Sequence, residues 1–293
     1  MSPAVHRRAS WPDLQMTRSG QLKARGGAIT AVLYAGHVHE LPRGGAVVSW
    51  ANAWLLGQAT LDDAATGAMG TDALHRVVGV PREPTAIGWT VALGRLRAAG
   101  VTAFRLVVPV SGDPRGLTGP LDFNAAAIDA GEAVLAIGTD QSYGLIPTSA
   151  QEGDAVVVRW DVAAIPTPGA TPAIAQVSDA EHELLDAIRD ATATLEALDL
   201  ASGRDQVAKE LAGLDRQLGA FIPAPGLTGR AARLVVQAAR LRAVVDLSLA
   251  GDGAAITASE AAQRRQALEP LAAACRHTLM AAYSAATEPP KPR

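Results

Sequence analysis

The chain of 293 residues is poor in the residue types that most often announce chemistry. Its one cysteine, Cys275, excludes an intrachain disulfide framework and any multi-cysteine metal site. Lysine occurs three times against 23 arginines, and asparagine only twice. Aromatic residues make up 4% of the chain and are nearly absent from its C-terminal part, which leaves little for stacking nucleic-acid bases. A net charge of −3 gives no general attraction to nucleic acid or to anionic lipid. No apolar run reaches the roughly 18 residues of a membrane span. The N-terminus carries charge but no apolar segment of the kind a signal peptide needs. A cytoplasmic protein with no nucleic-acid or membrane partner is expected.

Motifs for known chemistries are absent too. There is no G-x-S-x-G elbow, no H-E-x-x-H, and no S-x-x-K with its companion motifs. The glycines of the central stretch fall at spacings of four and three, so they are not a dinucleotide fingerprint, and no G-K-[ST] follows them. Cys275 stands among Leu271, Ala274 and Leu279, the setting of an inert core thiol. His37 and His39 share one strand face if residues 28–41 are extended, but those residues read equally as helix. A metal would need a third ligand such as Glu40 or His75. No metal and no cofactor is assigned.

What is present is an ordinary globular composition, 48% hydrophobic and 19% charged, with alanine at about a fifth of the residues. The length suffices for two domains. Residues 1–27 read as a flexible arm and 28–166 as an α+β domain. Residues 167–177 are a linker that overlaps the proline-rich run Ile165–Pro172, and 178–285 form an all-α helical bundle before a tail at 286–293. In the first domain, Ala46–Gln58 has the helical spacing of Trp50 and Trp54, and Thr60 suits the N-cap of Leu61–Met69. His75–Val80, a helix from Pro84 to Ala99 and Phe104–Val108 compose one βαβ unit with parallel strands. Ser142–Thr148 and Ala155–Trp160 add an antiparallel hairpin, joined by a turn at Ser149–Asp154, so the sheet is expected to be mixed.

In the bundle, Ser178 with Glu181 and Thr257 with Glu260 have capping-box spacing. A helix from near Ser202 carries the stripe Val207, Leu211, Leu214 and Leu218, and Pro270 implies a kink or two abutting helices. Arg230, Arg233 and Arg240 share one helix face, and Arg264 with Arg265 begin the last helix. With acidic residues interspersed, these read as solvated faces.

The stretch Val101–Gly138 runs strand, glycine-rich loop, short helix, strand, which is where ligands gather. Gly112, Gly116 and Gly119 let backbone N–H groups approach a ligand, and Arg115 can pair an anion. Asp113, Asp122 and Asn124 complete the candidate lining, and Asp122 or Asn124 can instead cap the helical turns of Phe123–Ala130. The structural reading, a turn at Asp113-Pro114 and a cap at Asp122, is preferred over the ligand-binding one. Asp129 and Glu132 read as a water-facing helix end rather than an acid–base pair.

The stretches SWANAWLLGQATLDDA, GDPRGLTGPLDFNAAAIDAGEAVL and EAAQRRQALEPLAAACRHTLMAAY resemble uncharacterised proteins of high-GC actinobacteria. The resemblance covers most of the chain and implies no activity. Two functions stay open. One is a non-enzymatic interaction or regulatory protein that binds a protein partner through its bundle. The other is a binder of a small anionic ligand, or an enzyme, using Ser111–Asn124. The absence of a nucleophile, metal cluster or cofactor loop tilts the balance to the first.

Overall fold

The computed structural model describes residues 14–16, 22–24, 41–152, 155–167, 176–197, 218–219, 221–250 and 258–285. Two short strands, β1 (Leu14–Met16) and β2 (Leu22–Ala24), pair antiparallel. After them come α1 (Arg43–Leu55), α2 (Leu61–Met69), β3 (Leu74–Val78), α3 (Trp89–Ala98) and β4 (Val101–Val107). Next are α4 (Leu121–Ala130), β5 (Ala133–Gly138), β6 (Ser142–Glu152) and β7 (Ala155–Ile165). The C-terminal part contributes α5 (Val177–Ala197), α6 (Gly229–Ala250) and α7 (Ala258–Ser284). A mixed sheet with helices, followed by a helical region, is the expected α+β plus all-α architecture.

The βαβ unit is a correction. The sheet order is β3-β7-β6-β5-β4, and every pairing is antiparallel except β3 with β7. β3 and β4 therefore lie at opposite edges and run in opposite directions. The reason is local pairing: β4–β5, β5–β6 and β6–β7 join neighbours in sequence, and β5, β6 and β7 fill the space between β3 and β4. The hairpin is present but longer than expected. β6 and β7 pair from Ser142↔Ile165 to Glu152↔Ala155, so Ser149–Glu152 is strand and not turn.

Helix ends follow local chemistry. The Thr60 hydroxyl accepts the Asp63 N–H at 3.1 Å, and Thr228 accepts that of Ala231 at 3.2 Å. Gly131 ends α4 in the left-handed conformation. α3 starts at Trp89 and not near Pro84, because Ile87 instead bonds Val77 of β3 through both backbone groups. α5 already includes Val177, so Ser178 is no N-cap; its hydroxyl points to Asp179, and Glu181 pairs with Arg230. α7 runs unbroken through Pro270. Pro270 and Gln266, whose carbonyl loses its N–H partner, are both exposed, so the unbroken helix leaves that carbonyl on its solvent side. The helix expected from Ser202, apart from Leu218, lies outside the described residues, as do the Thr257 cap, the 168–175 run and residues 25–40 with His37, His39 and Glu40.

One core spans both parts. It includes Phe104, Leu106, Val134 and Trp160 of the sheet, Val47 and Val48 of α1, and Leu234, Val235, Leu279 and Tyr283 of α6 and α7. From Ala274 to Ser284, α7 is buried on all sides, the behaviour of a central helix. A second cluster, Leu184, Val245, Leu268, Leu271 and Cys275, binds α5, α6 and α7 together. Cys275 is fully buried, and burial pushes its thiol up to about 12. Native protein is therefore expected to resist iodoacetamide at neutral pH and to react once unfolded, while Cys275→Ala costs about 1–2 kcal/mol. Rapid native labelling would contradict that placement.

Candidate functional site

The loop between β4 and α4 is built from consecutive turns. Val110 and Asp113 exchange two backbone hydrogen bonds, and the Leu117 N–H reaches the Pro114 carbonyl at 3.1 Å. Gly116 takes φ +87°, and a Cβ there would stand 2.8 Å from Val107 and 3.0 Å from the Met280 methyl. Its small size serves close packing between β4 and α7. Asn124 accepts the Gly119 N–H and donates to the Gly119 carbonyl, at 3.1 and 2.9 Å, so its amide is engaged in fixing the loop. Asp122 is exposed in the first turn of α4 and caps nothing: Pro120 occupies the N-cap position with no side-chain cap. A carboxylate there still suits the helix dipole. Asp122 and Asn124 thus share no hydrogen-bond partner with Asp113 or Arg115.

Asp113 and Arg115 meet residues of α5 and α7 that sequence reasoning passed over. Arg276 donates to Asp113 Oδ2 at 2.8 Å, and His277 Nε2 lies 3.0 Å from the same oxygen. His277 Nδ1 lies 2.8 Å from an Arg115 terminal nitrogen and 3.1 Å from Glu183 Oε1. Arg115 and Glu183 stand 3.9 Å apart. The His277 side chain is 6% exposed, against 56% for Arg115 and 44% for Glu183, so a buried imidazole sits beneath an open ion pair. Burial would raise the Asp113 carboxyl, but the hydrogen bonds from Arg276 and His277 outweigh it and hold the group below its ordinary value of 3.8.

The sign of the resulting pH dependence is fixed. A depressed carboxyl contributes stability that is complete above its unfolded value and is lost as pH falls through its folded one. Asp113→Asn should therefore cost about 2 kcal/mol at pH 7, and the difference from wild type should close at pH below 3.8. Urea melts across that range measure it; a pH-independent difference would argue against ionic anchoring.

The second polar cluster is internal to the α+β part. His75 is buried, and its Nδ1 accepts the indole N–H groups of Trp89 at 2.9 Å and Trp160 at 3.2 Å. Those two bonds place the ring proton on Nε2, which donates to Asp72 at 3.1 Å, and Arg43 holds Asp72 at 2.8 Å. With both ring nitrogens engaged in the core, His75 offers a substrate no lone pair and a metal no free ligand. Among the described residues no group of three or more His, Cys, Asp or Glu is arranged to hold a metal ion.

Glu132 corrects the expectation of a water-facing helix end. It is half-buried, and its carboxylate accepts the backbone N–H groups of Gly44 at 2.7 Å and Arg43 at 3.2 Å in the first turn of α1. Burial raises its carboxyl, an effect that these N–H groups and the nearby Arg43 charge oppose. Asp129 remains exposed. Arg264 also departs from the solvated face expected of it: it is buried, whereas Arg265 faces water. One open, largely apolar groove of about 660 Å³ is lined by Ile188, Leu218, Phe221, Pro223, Val236 and Leu241, and none of the loop residues reaches it.

A mixed sheet locked to C-terminal helices through a common core and a charged junction defines the class of protein. The chain belongs to the family of Rv1486c-like proteins: residues 44–177 match the model of the N-terminal domain of that family and residues 178–280 that of its C-terminal domain. It is similar to "Uncharacterized protein Rv1486c" of Mycobacterium tuberculosis strain H37Rv, 29% identical over 280 residues, which covers 80% of this chain and 94% of the relative. "Uncharacterized protein MT1533" of the CDC 1551 strain is 29% identical over 279 residues with the same coverage. No solved structure matches the chain.

Proposed function

We propose that this chain is a non-enzymatic regulatory or interaction protein, and that the charged junction of its loop with α5 and α7 is the element through which it responds. The carrying observation is where the loop's polar groups go. Asp113 is engaged by Arg276 and His277, and Asn124 by Gly119, so these side chains tie the molecule together instead of lining an open ligand pocket. A protein partner bound to the helical part would act on this junction directly, since α5 and α7 contribute Glu183, Arg276 and His277. Among the described residues no helix is long and apolar enough to cross a membrane, and a buried lone thiol fits a cytoplasmic setting. Native mass spectrometry of protein purified from its own host should find a co-purifying protein. A retained small molecule, lost on Arg115→Ala, would overturn this reading.

A second reading, a small-anion site, rests on one specific feature. The Arg115 guanidinium is more than half exposed and its close contacts use a single nitrogen. An anion at one hundred times its dissociation constant would add about 2.7 kcal/mol of stability. Arg115→Ala should abolish that gain while costing no more than about 1 kcal/mol itself. A panel of phosphate- and carboxylate-bearing metabolites that leaves the melt unmoved rejects this second reading.

A further inference from the structure

We propose that His277 is the moving part of a proton-operated latch, held through Nδ1 by Arg115 of the loop when neutral and by Glu183 of α5 when protonated. Donors and acceptors around the ring do not match in number. A guanidinium only donates and a carboxylate only accepts. Asp113 Oδ2, 3.0 Å from Nε2 and already held by Arg276, requires a proton on Nε2 in either state. Nδ1 is then the variable atom, and it faces two partners with opposite demands: Arg115 at 2.8 Å needs a lone pair, and Glu183 at 3.1 Å needs an N–H. One nitrogen cannot satisfy both. The geometry is poised between two bonding patterns that differ by one proton, and histidine is the side chain that exchanges a proton between about pH 5 and 8.

The charges facing the ring come from all three packed elements. Arg115 from the loop and Arg276 from α7 oppose the imidazolium; Asp113 from the loop and Glu183 from α5 favour it. The two competing partners are the exposed ones, so whichever is released is solvated at little cost. The Asp113–Arg276 pair, with its arginine 10% exposed, persists in both states as the pivot. Neutral His277 thus ties α7 to the loop through a further contact. Protonated His277 transfers that contact to α5 and frees Arg115. The junction between the sheet and the helices is thereby set by pH, or by anything that moves a charge beside the ring. The proposal deepens the junction reading above.

The test uses the full chain with 15N-labelled histidine, following ring nitrogens by NMR from pH 5 to 8.5. The His277 resonances are identified by their loss in His277→Gln or, should that variant not fold, through bonds to the assigned backbone. Neutral His277 is expected as the Nε2–H tautomer. Arg115→Gln removes an opposing cation and should move the midpoint up, and Glu183→Gln removes a favouring anion and should move it down, each by about half a pH unit or more. Both substitutions are at half-exposed side chains, so each reports on folded protein. Amide exchange, corrected for its intrinsic pH dependence, should slow at 179–186 and quicken at 115–118 as the ring protonates. Midpoints that stay put, or that move in one direction for both variants, overturn the latch, as does an Nδ1–H neutral tautomer. A latch that titrates as stated in a protein found to retain a small molecule would stand while the interaction reading falls.

Discussion

Asn52→Ala is expected to lower the stability of the protein by about 2–6 kcal/mol, a very large effect for the loss of one amide. Asn52 lies on α1 and is buried. Its Nδ2 donates to the Phe104 carbonyl and its Oδ1 accepts the Phe104 N–H, both at 2.8 Å. Among the described residues β4 is an edge strand beside β5, and the asparagine amide supplies the donor and acceptor that a further strand would give. Truncation leaves a buried N–H and a buried C=O without partners, each costing about 1–3 kcal/mol. Asn52→Asp tests the geometry from another side. A carboxylate still accepts the N–H but turns an oxygen towards the carbonyl, so this variant should be no better than alanine at pH 7. In the folded variant the introduced carboxyl favours its protonated, donating form, which raises its folded value. Its deficit relative to wild type should therefore shrink as pH falls below that value. Chemical denaturation from pH 7 to 4 measures this, and a pH-independent deficit would mean that the amide matters only for packing.

The same bidentate clamp recurs at Asn124 on Gly119, so both asparagines of the chain fix the backbone of another residue. Their number was plain in the sequence, but their partners, 52 and five residues away, were not. Legibility followed locality throughout. The Thr60 cap, the Gly131 terminus and the β6–β7 hairpin depend on residues close in sequence and were read from them. The parallel β3–β7 pair joins residues more than 80 apart and contradicted the βαβ reading, because local rules cannot tell which edge a strand will take.

The site divides in the same way. Asp113 and Arg115 stood out in a glycine-rich loop, whereas His277 lies more than 160 positions on and was passed over. A signal for it existed: Arg276-His277-Thr278 is a polar triplet in an alanine-rich run, and a helix buried on all sides must bring partners to such groups. Glu132 was misread for the opposite reason. Its neighbour Asp129 is exposed, and only the arrival of the α1 N-terminus, 88 residues earlier in the chain, draws the Glu132 carboxylate partly out of water and gives it N–H partners.

Tyr283→Ala is expected to cost about 3–5 kcal/mol, as removal of a buried aromatic ring usually does, and to lower one transition rather than split it. Tyr283 is 1% exposed on α7 and meets Phe221 edge to face at 6.3 Å. Its ring lies against Gly45 of α1 so closely that a Cβ there would stand 2.5–2.8 Å from three ring carbons. Gly45 is therefore the notch into which the C-terminal helix seats, and Gly45→Ala alone should cost about 1–3 kcal/mol through overpacking. The double variant discriminates the mechanism. With the ring gone, the added methyl meets no clash and partly refills the space, so the combined loss should fall short of the sum by about 1–3 kcal/mol. Equilibrium urea unfolding of the four proteins, followed by both tryptophan fluorescence and circular dichroism, gives the coupling. Four of the five tryptophans, Trp50, Trp54, Trp89 and Trp160, lie in the sheet part and none follows Trp160, so a loss of cooperativity would separate the two signals. Coincident transitions that shift together mean that α1 and α7 stabilise one another across the family-domain boundary. If Tyr283→Ala leaves the fluorescence transition in place and moves only the helical signal, the two parts are stabilised independently and the shared core contributes little.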